Sequence, residues 1–166
     1  MTIVRALTFS DAEQVLSINS NAIPAVATLD QKEFLRLKNL SRMHIVATDD
    51  PLVFGYALAF QSNDNYDGEE FLAFRSAIRE PFVYIDQIVV HDRARGTGIG
   101  RRLYEALERS AANIGAGILC CEVNVKPPNP DSLAFHKYLG FISHGTLSTQ
   151  DGRDVELLSK RVVLAT

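Results

Sequence analysis

Three glycines at alternate positions, Gly96, Gly98 and Gly100, stand between the apolar run of residues 82–90 and a stretch in which Leu103, Leu107 and Ile114 recur at helical spacing. A strand must therefore turn into an amphipathic helix within a few residues, which points to an α/β arrangement. At such a turn the unpaired N–H groups and the positive end of the helix converge on one point. Glycine there lets the backbone approach a ligand with no Cβ in the way. Arg93, Arg95, Arg101 and Arg102 add positive charge at the same place. The combination suits an anion, although glycines used only for tight packing at a helix entry are the plainer alternative. The chain as a whole gives no such attraction. Its 17 basic residues against 20 acidic ones leave a net charge of −3, which disfavours a non-specific nucleic-acid binder. The common nucleotide loops do not match: the dinucleotide fingerprint needs glycine where Arg101 stands, and no Gly-Lys-Ser/Thr follows.

At 166 residues with 46% hydrophobic side chains, the chain is expected to form one domain over 1–166. The longest apolar run, residues 53–60, is far short of the ~20 residues a membrane helix needs, and the N-terminus lacks a charged-then-apolar signal pattern. The two cysteines, Cys120 and Cys121, are adjacent, so strand geometry sends them to opposite faces and fits a reducing, cytoplasmic setting.

Around the central turn the sequence reads as a strand over 3–7 and a helix opened by Ser10-Asp11-Ala12-Glu13 and running to about residue 20. A second helix starts at Asp30 and ends near Asn39. Strands over 42–48 and 53–61 meet at Asp49-Asp50-Pro51, and the acidic stretch 63–70 reads as a surface loop. Residues 71–78 fit either strand or helix. Beyond the helix over 99–114, a strand over 118–125 stops at Pro127-Pro128-Asn129-Pro130, which opens a short helix to about residue 139. Two final strands, 141–148 and 154–163, flank the turn Gln150-Asp151-Gly152-Arg153.

The run Arg95-Gly96-Thr97-Gly98-Ile99-Gly100-Arg101, preceded by Ile88-Val89-Val90 and followed by Asn129 and Phe135-His136-Lys137-Tyr138-Leu139-Gly140-Phe141, resembles the GNAT superfamily of acyl-CoA-dependent N-acetyltransferases. The motif match spans residues 83–141; outside it only the order of elements agrees. The resemblance implies a mixed, mostly antiparallel sheet of about six to seven strands with a splayed parallel pair, flanked by about four helices. It implies acetyl-CoA as co-substrate, with the backbone of Ile88, Val89 and Val90 against pantetheine and residues 95–101 against the diphosphate. Asn129 matches the family's cofactor-contacting asparagine, with a pure helix cap as the alternative. Ser132 joins this cofactor-binding set. A homodimer is also plausible by resemblance. No metal is called for, and the partners expected are acetyl-CoA and an amine, with neither nucleic acid nor membrane.

Acetyl transfer needs a neutral nitrogen. For a lysine-like amine with pKa ~10.4, deprotonation at pH 7 costs roughly 4.6 kcal/mol, against about 1 kcal/mol for an α-amine. Glu122, the lone acid in the apolar run 118–123 and at a position where some family members place a catalytic glutamate, is the candidate base; the alternative is a solvent-side glutamate on an edge strand. Asp86, which alternation places on one face with Tyr84 and Ile88, is the second candidate or else a structural or substrate-orienting carboxylate. The family commonly has tyrosine where His136 stands. Helical spacing puts His136 on a polar stripe with Asn129 and Ser132, as a proton donor to sulfur when charged or as a capping histidine. Tyr138 reads as core, with a leaving-group role as the alternative. His44, His91 and His144 read as structural, and Cys120 and Cys121 as inert. The acidic loop of Asp64, Asp67, Glu69 and Glu70 is either solvated surface or a lure for a cationic amine. Three functions follow: a direct acetyltransferase, a non-catalytic acyl-CoA-binding module, and, least supported, a nicotinamide or flavin enzyme.

Overall fold

A computed structural model describes residues 1–164; the last two residues of the domain expected over 1–166 lie outside them. Along the chain run β1 (Ile3–Ala6), α1 (Ala12–Ala22), α2 (Gln31–Leu40), β2 (Ile45–Asp49), β3 (Leu52–Gln61), α3 (Glu69–Ala77), β4 (Phe82–Val90), α4 (Ile99–Asn113), β5 (Ile118–Lys126), α5 (Pro130–Tyr138), β6 (Ile142–Ser148) and β7 (Asp154–Arg161). The strands form one seven-stranded sheet in the order β1-β2-β3-β4-β5-β7-β6. Among the described residues, only β4 and β5 pair in parallel. The final hairpin returns β7 between β5 and β6, so β5 is a central strand rather than an edge.

One face of the sheet carries α4, whose Ile99, Leu103, Tyr104, Leu107 and Ala111 pack on Ala57, Ile85, Leu119 and Cys121. The other face buries Val15 and Ile18 of α1, Phe34 and Leu37 of α2, and Phe71 and Phe74 of α3 against Tyr56, Phe60, Tyr84 and Cys120. The adjacent cysteines thus do face opposite ways. The segment left open between strand and helix is α3, because Phe71 and Phe74 sit one turn apart and both reach the sheet only as a helix. The loop reading of the acidic stretch is corrected at its end: Glu69 and Glu70 form the first turn of α3, and Glu70 is buried against Arg153, 2.8 Å away. Asp67 pairs with Arg36, and Asp64 accepts from the Gln61 N–H.

The entry to α1 also differs from expectation. The reciprocal cap lies at Thr8 and Asp11, ahead of Ser10 and Glu13, with the Asp11 carboxylate accepting from the Thr8 N–H at 2.8 Å. Arg5 on β1 holds the same carboxylate through both guanidinium branches, at 2.8 and 2.9 Å, and this fixes the choice.

Asp86 sits at a β-bulge. β3 pairs Leu58 with Gln87 and Ala59 with Ile85, leaving Asp86 without an opposite residue. The bulge reverses the alternation of β4: Val83 and Ile85 face α4 before it, Ile88 and Val90 after it. Tyr84 and Ile88 therefore lie on opposite faces, which corrects the expected common face; Asp86 stays on the side of Tyr84, whose hydroxyl is 3.4 Å from its carboxylate.

Candidate active site

The parallel ladder of β4 and β5 runs only from Phe82 and Ile118 to Ile85 and Cys121, and beyond it the strands part. A cavity of about 830 Å³ fills the opening, lined by residues 85–90 of one strand and 121–124 of the other. Residues 88–90 remain paired to β3, so their β5-facing main-chain groups border the cavity with no strand to accept them.

At one end lies the glycine turn. Gly96 and Gly98 have φ of +74° and +86°, left-handed values that make glycine the fitting residue there. A Cβ at Gly100 would stand 3.0 Å from the Phe135 ring, so this glycine serves the packing of α4 on α5. The N–H groups of the first helical turn have no intrahelical acceptor, and Gly98, Ile99, Gly100 and Arg101 line the cavity. Arg95 also lines it, while Arg102 reaches away to the Thr2 carbonyl and Arg93 is not part of the wall, so the positive pole is built from fewer arginines than the sequence suggests. Thr97 is likewise absent from the wall; its hydroxyl donates to the Ala94 carbonyl and closes the turn.

At the other end the cavity wall carries Glu122, Asp86 and Glu70. Glu122 accepts a hydrogen bond from the Tyr84 hydroxyl at 2.7 Å, and Asp86 accepts one from Tyr66 at the same length. Burial, followed by the negative charges of Glu70 and Asp86, pushes the Glu122 carboxyl well above the ordinary carboxylate range. Burial likewise raises Asp86, to about 6. Arg153 is the cation of this end, bridging Glu70 and the Asn124 side chain at 2.8 and 3.2 Å.

α5 closes the wall. Asn129 caps it by accepting from the Ser132 N–H, and both residues line the cavity together with His136. His136 is not on a solvated stripe; it is 3% exposed and enclosed by Tyr104, Phe135 and Phe141. Its Nδ1 meets the Ser132 carbonyl at 2.7 Å and so carries the proton, while Nε2 accepts from the Tyr104 hydroxyl. Burial holds the ring below its ordinary pKa, so at neutral pH it is uncharged, contrary to the expected imidazolium donor. The core reading of Tyr138 is also corrected: the ring is 78% exposed, at the cavity rim.

The remaining histidines are held by local bonds. Nε2 of His44 meets the Leu37 carbonyl and Nδ1 accepts from the Ala59 N–H; His91 accepts from the Arg93 N–H; His144 bonds to Ser159. Cys120 and Cys121 are buried free thiols whose pKa burial drives up. Among the described residues, no group of three or more His, Cys, Asp or Glu side chains is disposed to hold a metal, and no helix is long and apolar enough to cross a membrane.

Sequence reading missed Tyr66, Tyr84, Arg153 and Tyr104, whereas Glu70, read with the acidic stretch as solvated surface or a lure for a cationic amine, lines the cavity. Tyr84 had a signal available: in the parallel register it lies opposite Cys120, two residues short of Glu122 on the same face. The others come from elements that meet only in three dimensions.

A sequence model of the Acetyltransferase (GNAT) family matches residues 13–141. The chain belongs to the GNAT family. GNAT structures share its fold over nearly the whole length. Ard1 from Thermoplasma volcanium matches with a TM-score of 0.76 at 18% identity, covering 98% of each chain. The ribosomal-protein-alanine N-acetyltransferase of Brucella melitensis matches with a TM-score of 0.70 at 25% identity, over 96% of this chain and 99% of that one. YncA from Salmonella typhimurium, solved with its cofactor acetyl-CoA, matches with a TM-score of 0.72 at 18% identity, over 100% and 96%. No curated protein matches in sequence. As a GNAT acetyltransferase the protein is an acyltransferase, and acetyl-CoA is the donor its family uses. The residues present fit that donor: the GNAT turn, with two left-handed glycines and free helical N–H groups, opens on the same cavity as the unpaired edge of β4.

Proposed function

We propose that the protein is an N-acetyltransferase that passes an acetyl group from acetyl-CoA directly to an amine held in the same cavity, with Glu122 as the general base. The supporting observation is continuity: one cavity joins the glycine turn, the β4 edge and Glu122, so donor and acceptor have room to be bound together. Residues 96 and 98–101, with Arg95, hold the diphosphate through N–H groups and charge. The main chain of Ile88, Val89 and Val90 orients the pantetheine arm, and Asn129 and Ser132 border it from α5. Acetyl-CoA supplies the activated thioester.

A buried carboxyl raised above its usual range binds a proton more readily than an exposed one, which suits Glu122 to take the proton of an ammonium acceptor at Oε. Thiol release needs less help: with a thiol pKa of ~8.5, unassisted departure at pH 7 costs about 2 kcal/mol. In this reading the neutral His136–Tyr104 pair holds α5 against α4 and shapes the sulfur end of the cavity, in place of a charged donor. The acceptor is a small-molecule amine or the amine of a peptide or protein; the likeness to ribosomal-protein-alanine and other N-acetyltransferase structures favours the latter.

Thiol release from acetyl-CoA over an amine panel tests this. Glu122→Gln is expected to lower kcat on a lysine-like amine by about 10² to 10⁴ and less on an α-amine. Full activity of that variant on a high-pKa amine at neutral pH would move the base elsewhere. CoA binding with no turnover on any amine would instead favour the acyl-CoA-binding module.

A further inference from the structure

The Tyr84 hydroxyl lies 2.7 Å from Glu122 Oε2 and 3.4 Å from Asp86 Oδ1, and the same Asp86 oxygen accepts from Tyr66 at 2.7 Å. A phenol has one proton to donate, so two carboxylates within its reach cannot both be served at once. Resting on the reading of Glu122 as base, we propose that Tyr84 is a hydrogen-bond switch through which Asp86, a positioning residue, supports Glu122 when it receives the acceptor's proton.

While Glu122 is ionised, Tyr84 donates to it. When an acceptor N–H bond breaks, its electron pair stays on nitrogen and the proton forms an O–H bond on Glu122. The new acid then donates to the Tyr84 oxygen, and Tyr84 turns its own proton about the Cζ–Oη bond to Asp86. The carboxylate charge lost at Glu122 is balanced by the positive charge lost at the amine. Asp86 stays ionised throughout, anchored by Tyr66. The bond that Tyr84 gives up at Glu122 is thus replaced at Asp86, and no buried polar group is left unpaired at either stage.

The surrounding charges favour this sequence. Glu70 from α3 faces Glu122, and Glu33 from α2 adds to the field at Asp86; Arg153, ahead of β7, opposes them. Cys121, the strand neighbour of Glu122, and Tyr104 from α4 are both neutral at pH 7, burial raising each.

The test compares wild type, Asp86→Asn, Tyr84→Phe and the double variant, by pH profiles of turnover and by carbon-13 NMR of the Glu122 carboxyl in the free protein, assigned with Glu122→Gln. Asp86→Asn is expected to move the Glu122 titration and the acid limb of kcat/KM to lower pH, and to reduce kcat on a lysine-like amine about tenfold with KM little changed. Tyr84→Phe should cost a similar factor in kcat, and the double variant no more than the worse single one. Multiplying losses, or a Glu122 titration unmoved by Asp86→Asn, would overturn the switch. Should Tyr84→Phe fail to fold, carbon-13 NMR of the Tyr84 Cζ decides: the switch expects its shift to follow the Glu122 titration in the wild type and to change less in Asp86→Asn, and an equal change in both would overturn it. Absence of turnover in the wild type strikes the acetyltransferase reading, whereas the NMR titration still decides the coupling.

Discussion

His44 shows how a single side chain ties chemistry to stability. It is 2% exposed and joins the last turn of α2, through the Leu37 carbonyl, to the Ala59 N–H of β3. Burial lowers its pKa from 6.5 to about 4. Below pH 6.5 the unfolded chain takes up a proton that the folded imidazole refuses, so this contribution is complete above 6.5 and is lost as pH falls toward 4, roughly 3 kcal/mol in all. Urea unfolding across that window should show the decline, and His44→Gln should flatten it. The Glu122 and Asp86 carboxyls are shifted the other way, raised mainly by burial, and activity is expected to fall with acidity as they gain protons before substrate arrives. Single residues were unevenly legible in the sequence. Glu122 was conspicuous because a lone acid in an apolar strand needs a reason. Tyr84 and Arg153 were not, since a tyrosine in a hydrophobic run or an arginine after an Asp-Gly turn is ordinary until its partner is known.

The strand, turn and helix around Gly96–Gly100 form the element proposed to hold the cofactor. Its boundaries were readable because each half carries its own periodicity and the glycines punctuate them. A Cβ at Gly98 meets nothing within 4 Å, yet φ there is +86°, so Gly98→Ala tests the backbone alone. The left-handed penalty predicts a loss of about 1 kcal/mol in unfolding free energy. The same residue's N–H borders the proposed diphosphate site, and CoA affinity should weaken about tenfold, measured by calorimetry; an unchanged Kd would detach the turn from the cofactor. The bulge at Asp86 was illegible at this scale. Asp86 and Gln87 are two consecutive polar residues in the apolar run 82–90, but such a pair does not by itself reveal an extra residue, which is defined only by the pairing of Leu58 and Ala59 across the ladder.

For the molecule as a whole, the decisive feature is the parting of β4 and β5 and the cavity it opens. A ligand that binds only the folded state stabilises it: CoA at a hundredfold excess over Kd should add about 2.7 kcal/mol, a rise in Tm of roughly 8 °C, while NAD should add none. A shift with NAD and none with CoA would reverse the assignment of the anion site. By itself the sequence determined the order of elements, the strand-to-helix turn and its suitability for an anion, and the strangeness of Glu122, because propensity, periodicity and glycine act within a few residues of chain. Only the tertiary structure decided that Tyr84 stands between two carboxylates, that Arg153 neutralises Glu70, and that His136 is buried and uncharged. Those outcomes depend on distances between segments far apart in sequence, and on the water excluded where they meet, which no local pattern encodes.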